Sequence, residues 1–366
     1  MRFSRKLATA AVAAMAFTGL SAPIASAVTI DTDGDKLLDV WETEGYDYNN
    51  DGVIDIDFAA MGADPYRKDL FVEMDYMPGL LASEAELGTI VQTFADMPVW
   101  NPNGTTGITI HLDAGSIYPA YDLGGGNEIP HQGFNGLGDV NTLRGTNSDP
   151  ARAGVFHYMI WGDYYGTGGS SGSGYYPGRT FMVTVGPTHW GKASSAIRVG
   201  TFIHELGHNL GLNHGGTDGT NYKPNYTSIM NYKYQLSGIR RTDGSVYYGY
   251  STRAGMTIDE TAVVESKGAG NAARGFSIHY GTRYWNAHQG IDFDQDGVVE
   301  TTAQQIDVNR DGTIGKLTAP NDLMTMKFQA QSSAPGISPY EQQEPEIENN
   351  EMTADLARQL GYLPAE

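Results

Sequence analysis

The sequence contains no cysteine among its 366 residues. A chain without thiols forms no disulfide bonds, and it has no thiolate to act as a nucleophile or as a zinc ligand. Stability beyond that of the packed core must therefore come from other sources, of which bound metal ions are one. The length is sufficient for one large domain or for two smaller ones.

Basic residues are also scarce. The chain has 23 Lys and Arg against 43 Asp and Glu, which gives a formal net charge of −20. This charge argues against nucleic acid as a partner, because phosphates require a positive surface.

Long hydrophobic runs are missing except at the start of the chain. Residues 7–20 are apolar, follow Arg2, Arg5 and Lys6, and precede the small-residue pattern Ala25-Ser26-Ala27. This order is typical of a secretory signal peptide, and the apolar run is short for a membrane anchor. We therefore expect residues 1–27 to be removed, and we expect a secreted, extracellular protein that does not associate with a membrane afterwards.

Acidic residues alternate with other residues around a glycine in four segments. Alternating oxygen ligands at a sharp turn suit Ca²⁺, which takes six to eight oxygens, although turns of this composition also form without an ion. The predicted calcium ligands are Asp31, Asp33, Asp35, Asp39 and Glu42 in the first segment, Asp47, Asn49, Asp51 and Asp55 in the second, Asp292, Asp294, Asp296 and Glu300 in the third, and Asp307, Asn309 and Asp311 in the fourth.

The first segment departs from the pattern of the other three. Glycine occupies position 6 of the later segments, as in an EF-hand loop, whereas Lys36 stands at that position in the first and its glycine, Gly34, is at position 4. We therefore expect a different turn there, with Glu42 at position 12 as a bidentate ligand. All four segments resemble dockerin-like and thrombospondin-type-3-like calcium loops. We expect their ions to be structural.

The hydrophobic pattern between these segments predicts an alternation of strands and helices, and hence an α/β layer arrangement. Strands are predicted at 70–76, 107–113, 154–161 and 179–185, and helices at 83–96 and 195–211. Residues 162–178 are rich in Gly, Ser and Tyr and are predicted to form an irregular loop. Near the end, residues 331–351 have the composition of a linker, and a short helix is predicted at 353–360.

The helix predicted at 195–211 carries the strongest chemical signal. His204 and His208 are four residues apart and therefore share one helix face, while Glu205 is offset from that face. Gly211 can end the helix with a positive φ and return the chain so that His214 becomes a third ligand. Three neutral nitrogen donors suit Zn²⁺ and leave a position for water, although spacing alone leaves open another metal or a retired enzyme.

The run from His204 to His214 is the elongated signature of the metzincin metallopeptidases, which this chain resembles. Residues 228–232 are similar to their Met-turn. The resemblance implies that Met230 lies beneath the zinc and that the Tyr232 phenol supports the oxyanion. The chain also resembles uncharacterised secreted bacterial zinc-dependent metalloproteases that have calcium loops at either end.

The resemblance further implies an α/β (α+β) fold, with a mixed sheet, an active-site helix and a backing helix, flanked by EF-hand- or dockerin-like calcium loops. The expected parts after the signal peptide are a calcium-loop segment at 28–65, the metzincin-like catalytic domain at 66–240, a subdomain with calcium loops at 241–330, and an acidic linker with a short terminal helix at 331–366.

The function predicted from the sequence is that of a secreted zinc endopeptidase acting on proteins or peptides, with Glu205 as general base for a metal-activated water. Substrate is expected to pair in extended form with a sheet edge near residues 179–185. One alternative is a calcium-stabilised extracellular binding or adhesion protein with a vestigial zinc site. Another is a zinc hydrolase acting on a non-peptide bond. The sequence leaves the oligomeric state open.

Overall fold

The computed structural model describes residues 30–167, 169–328 and 352–364. The predicted signal peptide at 1–27 and the predicted linker at 331–351 lie outside the described residues. Within the described part, no helix has both the length and the apolar character needed to cross a membrane.

A five-stranded mixed sheet organises the larger part of the chain. The strand order is β2-β1-β3-β5-β4, with four parallel strands and with β4 antiparallel to β5 at one edge. The five strands are β1 (Asp69–Tyr76), β2 (Thr109–Asp113), β3 (Phe156–Trp161), β4 (Gly172–Gly174) and β5 (Thr180–Val183). All residues of β1 and β3 are buried, as expected for parallel strands covered on both faces.

The described helices are α1 (Asp39–Glu44), α2 (Phe58–Met61), α3 (Glu84–Ala95), α4 (Leu137–Asn147), α5 (Pro187–Trp190), α6 (Ser195–Asn209), α7 (Tyr232–Gln235), α8 (Asp322–Thr325) and α9 (Ala354–Gln359). The main core contains apolar residues of both α3 and α6 against one face of the sheet, whereas α4 packs on other residues of β3 and β5. The result is a mixed α/β fold with helices on both faces, as the sequence pattern predicts.

The helix α3 matches the helix predicted at 83–96 and begins with a capping box. The Ser83 hydroxyl accepts from the Glu86 amide, and the Glu86 carboxylate accepts from the Ser83 amide at 2.8 Å. The carboxylate also contacts Arg198 of α6 at 3.3 Å. Both helices lie on the same face of the sheet, and the contact between Glu86 and Arg198 joins them.

The second half of the chain forms short two-stranded sheets. Their strands are β6 (Ile239–Arg240), β7 (Val246–Tyr247), β8 (Ile258–Asp259), β9 (Ser277–Tyr280), β10 (Arg283–Asn286) and β11 (Lys316–Leu317). A hydrophobic cluster between Ile258 and Leu317 lies apart from the main core and is built from these strands and their loops.

The C-terminal helix α9 confirms the short helix predicted at 353–360, with Thr353 as its N-cap. The residues before it dock beside β4: the Ser171 amide donates to the Met352 carbonyl at 2.7 Å, and the Ala354 amide donates to the Gly169 carbonyl at 3.0 Å. Met352 is fully buried and belongs to the main core.

Two predictions about the sheet are wrong. Residues 162–178 do not form only an irregular loop, because β4 lies among them. The prediction fails because β4 consists of two glycines and a serine and carries no hydrophobic pattern. In addition, residues 180–183 are not at a sheet edge: β5 pairs with β3 on one side and with β4 on the other. The helix α4 was not predicted either.

Candidate metal centre

The centre is built on α6, which begins with Ser194 as its N-cap and ends after Asn209. His204, Glu205 and His208 lie on its last turns and are completely buried. Two glycines let other segments approach the helix closely. A Cβ on Gly200 would lie 1.9 Å from the Gln235 carbonyl oxygen, and one on Gly207 would lie 2.3 Å from the Met230 sulfur.

A turn after α6 brings His214 to the same place. Gly211 has φ +78°, and its amide donates to the His208 carbonyl at 2.8 Å, so the helix ends there as predicted. Asn213 then pairs with Gly216 in both directions, with hydrogen bonds of 2.9 and 2.7 Å. His214 sits inside this turn and is 3 % exposed.

The three imidazoles face one another. Ring centroids are 4.8 Å apart for His204 and His208, 5.3 Å for His204 and His214, and 4.9 Å for His208 and His214. One nitrogen from each ring lies within 4.8 Å of the others, so the three could hold a single metal ion. The structure therefore brings together the three predicted zinc ligands.

The hydrogen bonds around the rings fix which nitrogen carries the proton. Nδ1 of His204 lies 3.0 Å from the Ile229 carbonyl, and Nδ1 of His208 lies 2.8 Å from the Leu212 carbonyl. A carbonyl oxygen only accepts, so both Nδ1 atoms are protonated and both Nε2 atoms, 3.1 Å apart, keep their lone pairs. Carbonyls in this position orient the ligands of metal sites.

The environment keeps all three rings neutral. Burial lowers the pKa of His208 to about 4, and burial together with the neighbouring imidazoles lowers the pKa of His204 and His214 well below the usual range. Nε2 of His214 is buried and has no hydrogen-bond partner within the described residues. A buried nitrogen lone pair without a donor fits a metal ion, and the all-nitrogen set suits zinc.

Glu205 projects from α6 toward β4. A Cβ on Gly172 would lie 2.7 Å from Oε1 of Glu205, and one on Gly174 would lie 2.8 Å from the Glu205 carbonyl oxygen. Only glycine allows this close approach of strand and helix. The Glu205 side chain therefore faces β4, whereas the three histidines face one another.

The segment predicted as a Met-turn passes beneath α6. Met230 is fully buried, and its sulfur lies against Gly207. The Tyr232 ring lies 4.4 Å from the His214 ring and 5.6 Å from the His204 ring, measured between centroids. The structure therefore places Tyr232 at the histidine centre and Met230 against Gly207 of α6.

A buried carboxylate that sequence reasoning missed supports this segment. Asp322 accepts from the Ser228 hydroxyl at 2.6 Å, from the Tyr226 hydroxyl at 2.9 Å and from the Ser251 amide at 2.8 Å. Burial raises the pKa of Asp322 to about 6. No spacing signal could have found it, because Asp322 lies 94 residues after Ser228.

The four acidic segments share one backbone conformation. Position 6 has a positive φ in each, and its amide donates to the carboxylate at position 1 over 2.8 to 3.2 Å; the pairs are Lys36–Asp31, Gly52–Asp47, Gly297–Asp292 and Gly312–Asp307. The expectation of a different turn in the first segment is wrong. Lys36 adopts φ 80° there, at a cost of about 1 kcal/mol relative to glycine.

Only some of the predicted calcium ligands lie in groups of three or more carboxylates. The groups within the described residues are Asp31, Asp33 and Asp35; Asp35, Glu42 and Asp69; Asp292, Asp294 and Asp296; and Glu265, Asp294 and Glu300. Asp69 and Glu265 were missed, because each comes from outside the segment that it completes. Asp39 is in none of these groups, and its carboxylate accepts from the amide and the hydroxyl of Thr32 at 2.8 and 2.6 Å.

The remaining predicted ligands are placed in two loops. None of their carboxylates belongs to such a group within the described residues, and the predicted ligands in these loops are Asp47, Asn49, Asp51, Asp55, Asp307, Asn309 and Asp311. In the second of these loops, Oδ1 of Asp307 and Oδ1 of Asn309 are buried and have no partner among the described residues.

No protein-family model matches this chain, and no curated protein matches it. The description of the protein therefore rests on its fold and on its candidate metal site. It is a mixed α/β protein with a buried three-histidine site that could bind zinc, and with acidic clusters that could bind further metal ions.

Proposed function

We propose that the protein is a secreted zinc endopeptidase of the metzincin type, with His204, His208 and His214 as zinc ligands. The observation that carries the proposal is the convergence of three neutral, buried imidazoles beside a glutamate of the same helix. The resemblance of residues 204–214 and 228–232 to the metzincin motifs supports a peptide as the substrate. Export rests on the pattern of residues 1–27.

When bound, zinc would polarise the scissile carbonyl and lower the pKa of a water molecule. The residues of the chain supply the remaining steps. The Glu205 carboxylate accepts the proton of the attacking water and passes it to the leaving amine. The Ile229 and Leu212 carbonyls hold the imidazoles of His204 and His208 in the orientation of ligands. The Tyr232 hydroxyl donates to the oxyanion that forms during attack.

We propose that an extended peptide adds to the edge strand β4 beyond the stretch that pairs with residues 352–354. The Thr184 amide donates to the Ser171 carbonyl at 2.7 Å, and the Tyr175 amide donates to the Thr180 carbonyl at 3.1 Å. Because bonding positions alternate in an antiparallel pair, Gly172 and Gly174 direct their amides away from β5. A substrate strand would pair with these amides beside Glu205.

The test compares the parent with Glu205→Gln, using Glu84→Gln as control because Glu84 is an exposed residue of α3. We expect the parent to hold one zinc at the histidines and to cleave an unfolded protein at internal bonds. Glu205→Gln should keep the zinc and the fold but cleave about a thousandfold more slowly. Equal cleavage by the parent and Glu205→Gln would contradict the proposal, and absence of cleavage by the parent would favour a calcium-stabilised binding protein.

A further inference from the structure

The first acidic segment contains a buried carboxylate that no donor of the described residues satisfies. Glu42 of α1 is 2 % exposed, and neither of its side-chain oxygens has a hydrogen-bond partner within the described residues. Oδ2 of Asp33, which is 6 % exposed, has none either. Buried oxygens of this kind cost several kcal/mol unless a donor or a cation satisfies them, by a rough estimate.

These oxygens point into a group of carboxylates. Asp35 contributes one oxygen to a group with Asp31 and Asp33, and one to a group with Glu42 and Asp69. Asp35, Glu42 and Asp69 are all buried, and one carboxylate oxygen of each lies within 4.8 Å of the others. Without a cation, the cluster therefore opposes its own ionisation.

Basic side chains of the described residues contact only the outer part of this cluster. The Lys36 ammonium lies 3.9 Å from Asp31, at the outer side, and is itself half exposed. Lys68 lies near this loop, since its Nζ would be 3.5 Å from a Cβ on Gly34, and its charge acts on Asp33, but it forms no ion pair with these carboxylates in the described part of the chain. Among these carboxylates, His111 contacts Asp69, with Nε2 2.6 Å from Oδ1. None of these basic side chains reaches the buried oxygens of Glu42 or Oδ2 of Asp33 within hydrogen-bond distance in the described part of the chain.

We propose that one Ca²⁺ binds between the first acidic segment and β1, on the carboxylates of Asp33, Asp35, Glu42 and Asp69. The donors are oxygens only, which disfavours zinc, and they outnumber the one or two carboxylates that usually hold Mg²⁺. This site is separate from the histidine centre and goes beyond the proposed peptidase activity.

The site ties the N-terminal segment to the central sheet. Asp69 is the first residue of β1, and its amide donates to the Asp35 carboxylate at 2.6 Å. Through His111, the same residue contacts β2. A calcium ion on these carboxylates therefore fixes α1 and its loop against the start of two neighbouring strands, without a disulfide.

The test is equilibrium dialysis of the full chain against Ca²⁺, after chelation, for the parent and three variants. Glu42→Gln should lose one bound ion or bind it roughly a hundredfold more weakly, because a charged bidentate ligand becomes a neutral amide. Asp69→Asn should weaken the binding of the same ion about tenfold. Glu44→Gln is the matched control: Glu44 lies two residues further along α1, is exposed, and should leave binding unchanged.

Two outcomes would overturn the proposal. Unchanged number and affinity of ions in Glu42→Gln would exclude the site, and an effect of Glu42→Gln without any effect of Asp69→Asn would confine the ion to the loop. If Glu42→Gln does not fold, as judged by circular dichroism, Asp33→Asn is measured in its place with the same expected loss. The readout is Ca²⁺ binding, so it does not depend on whether the histidine centre is a peptidase.

Discussion

Gly172 of β4 lies directly against Glu205 of α6, so that a Cβ on the glycine would be 2.7 Å from Oε1 of the glutamate. The same Cβ would be 2.4 Å from the Met182 carbonyl oxygen. The strand therefore limits where the Glu205 carboxylate can go. This contact joins the edge of the sheet to the proposed general base.

Gly172→Ala is expected to reduce both stability and cleavage. The added methyl group overlaps a backbone atom, which cannot move aside cheaply, so we expect a loss of about 1–3 kcal/mol in the free energy of unfolding. The cleavage rate should fall by more than the loss of folded protein explains, because the Glu205 carboxylate must shift. Urea unfolding and a peptide-cleavage assay measure the two effects.

Gly219→Ala is the control for this change, since a Cβ at Gly219 meets nothing within 4 Å. It should behave like the parent in both assays. If Gly172→Ala also behaves like the parent, β4 does not hold Glu205 in place.

Removal of metal should destabilise the parent through the histidine centre. A ligand that binds only the folded state adds about 4 kcal/mol at a thousand times its Kd. We therefore expect a zinc chelator that spares Ca²⁺ to lower the Tm of the parent, and to have much less effect on His214→Ala. Differential scanning calorimetry with and without chelator measures the shift. His279→Ala, a change at an exposed histidine, should keep the shift of the parent.

Tyr232→Phe is expected to lower kcat with little change in KM. The hydroxyl is proposed to act on the oxyanion, so its loss should cost roughly a hundredfold in kcat. Tyr234→Phe removes the hydroxyl of another buried tyrosine of α7 and should leave kcat unchanged. A similar loss of kcat in both variants would point to general disturbance of α7 and not to oxyanion support.

Asp322 is expected to make the stability of the protein fall between about pH 4 and pH 6. Its folded-state pKa is raised to about 6 by burial, whereas the unfolded chain has the ordinary value near 3.9. The folded state thus holds a proton that the unfolded state has lost, and stability present below pH 4 is lost as the pH rises through 6. The difference between the two pKa values corresponds to about 2–3 kcal/mol in the free energy of unfolding.

Urea unfolding of the parent and of Asp322→Asn at several pH values isolates this effect. The amide does not titrate, so the decrease attributable to residue 322 should be missing from the variant. Parallel pH profiles for the two proteins would contradict the assignment. The overall stability of Asp322→Asn is expected to be lower, because the amide cannot accept from Ser228, Tyr226 and Ser251 as the carboxylate does.

The sequence by itself was sufficient for the local parts of the site. His204 and His208 share a helix face by their spacing, Gly211 ends that helix, and four strands of the sheet show runs of apolar residues. These features depend on backbone periodicity and on the conformational freedom of glycine, and both can be read within a few residues. The positions of the acidic loops can be read from the sequence for the same reason.

Tertiary structure decided the contacts between distant segments. Gly172 reaches Glu205 because a strand without hydrophobic pattern pairs with β5, and Asp69 joins Asp35 across 34 residues. Asp322 supports Ser228 over a still longer separation. Nothing local marks such partners, because their roles arise only when burial removes water and leaves their oxygens to be satisfied by whatever the fold brings near.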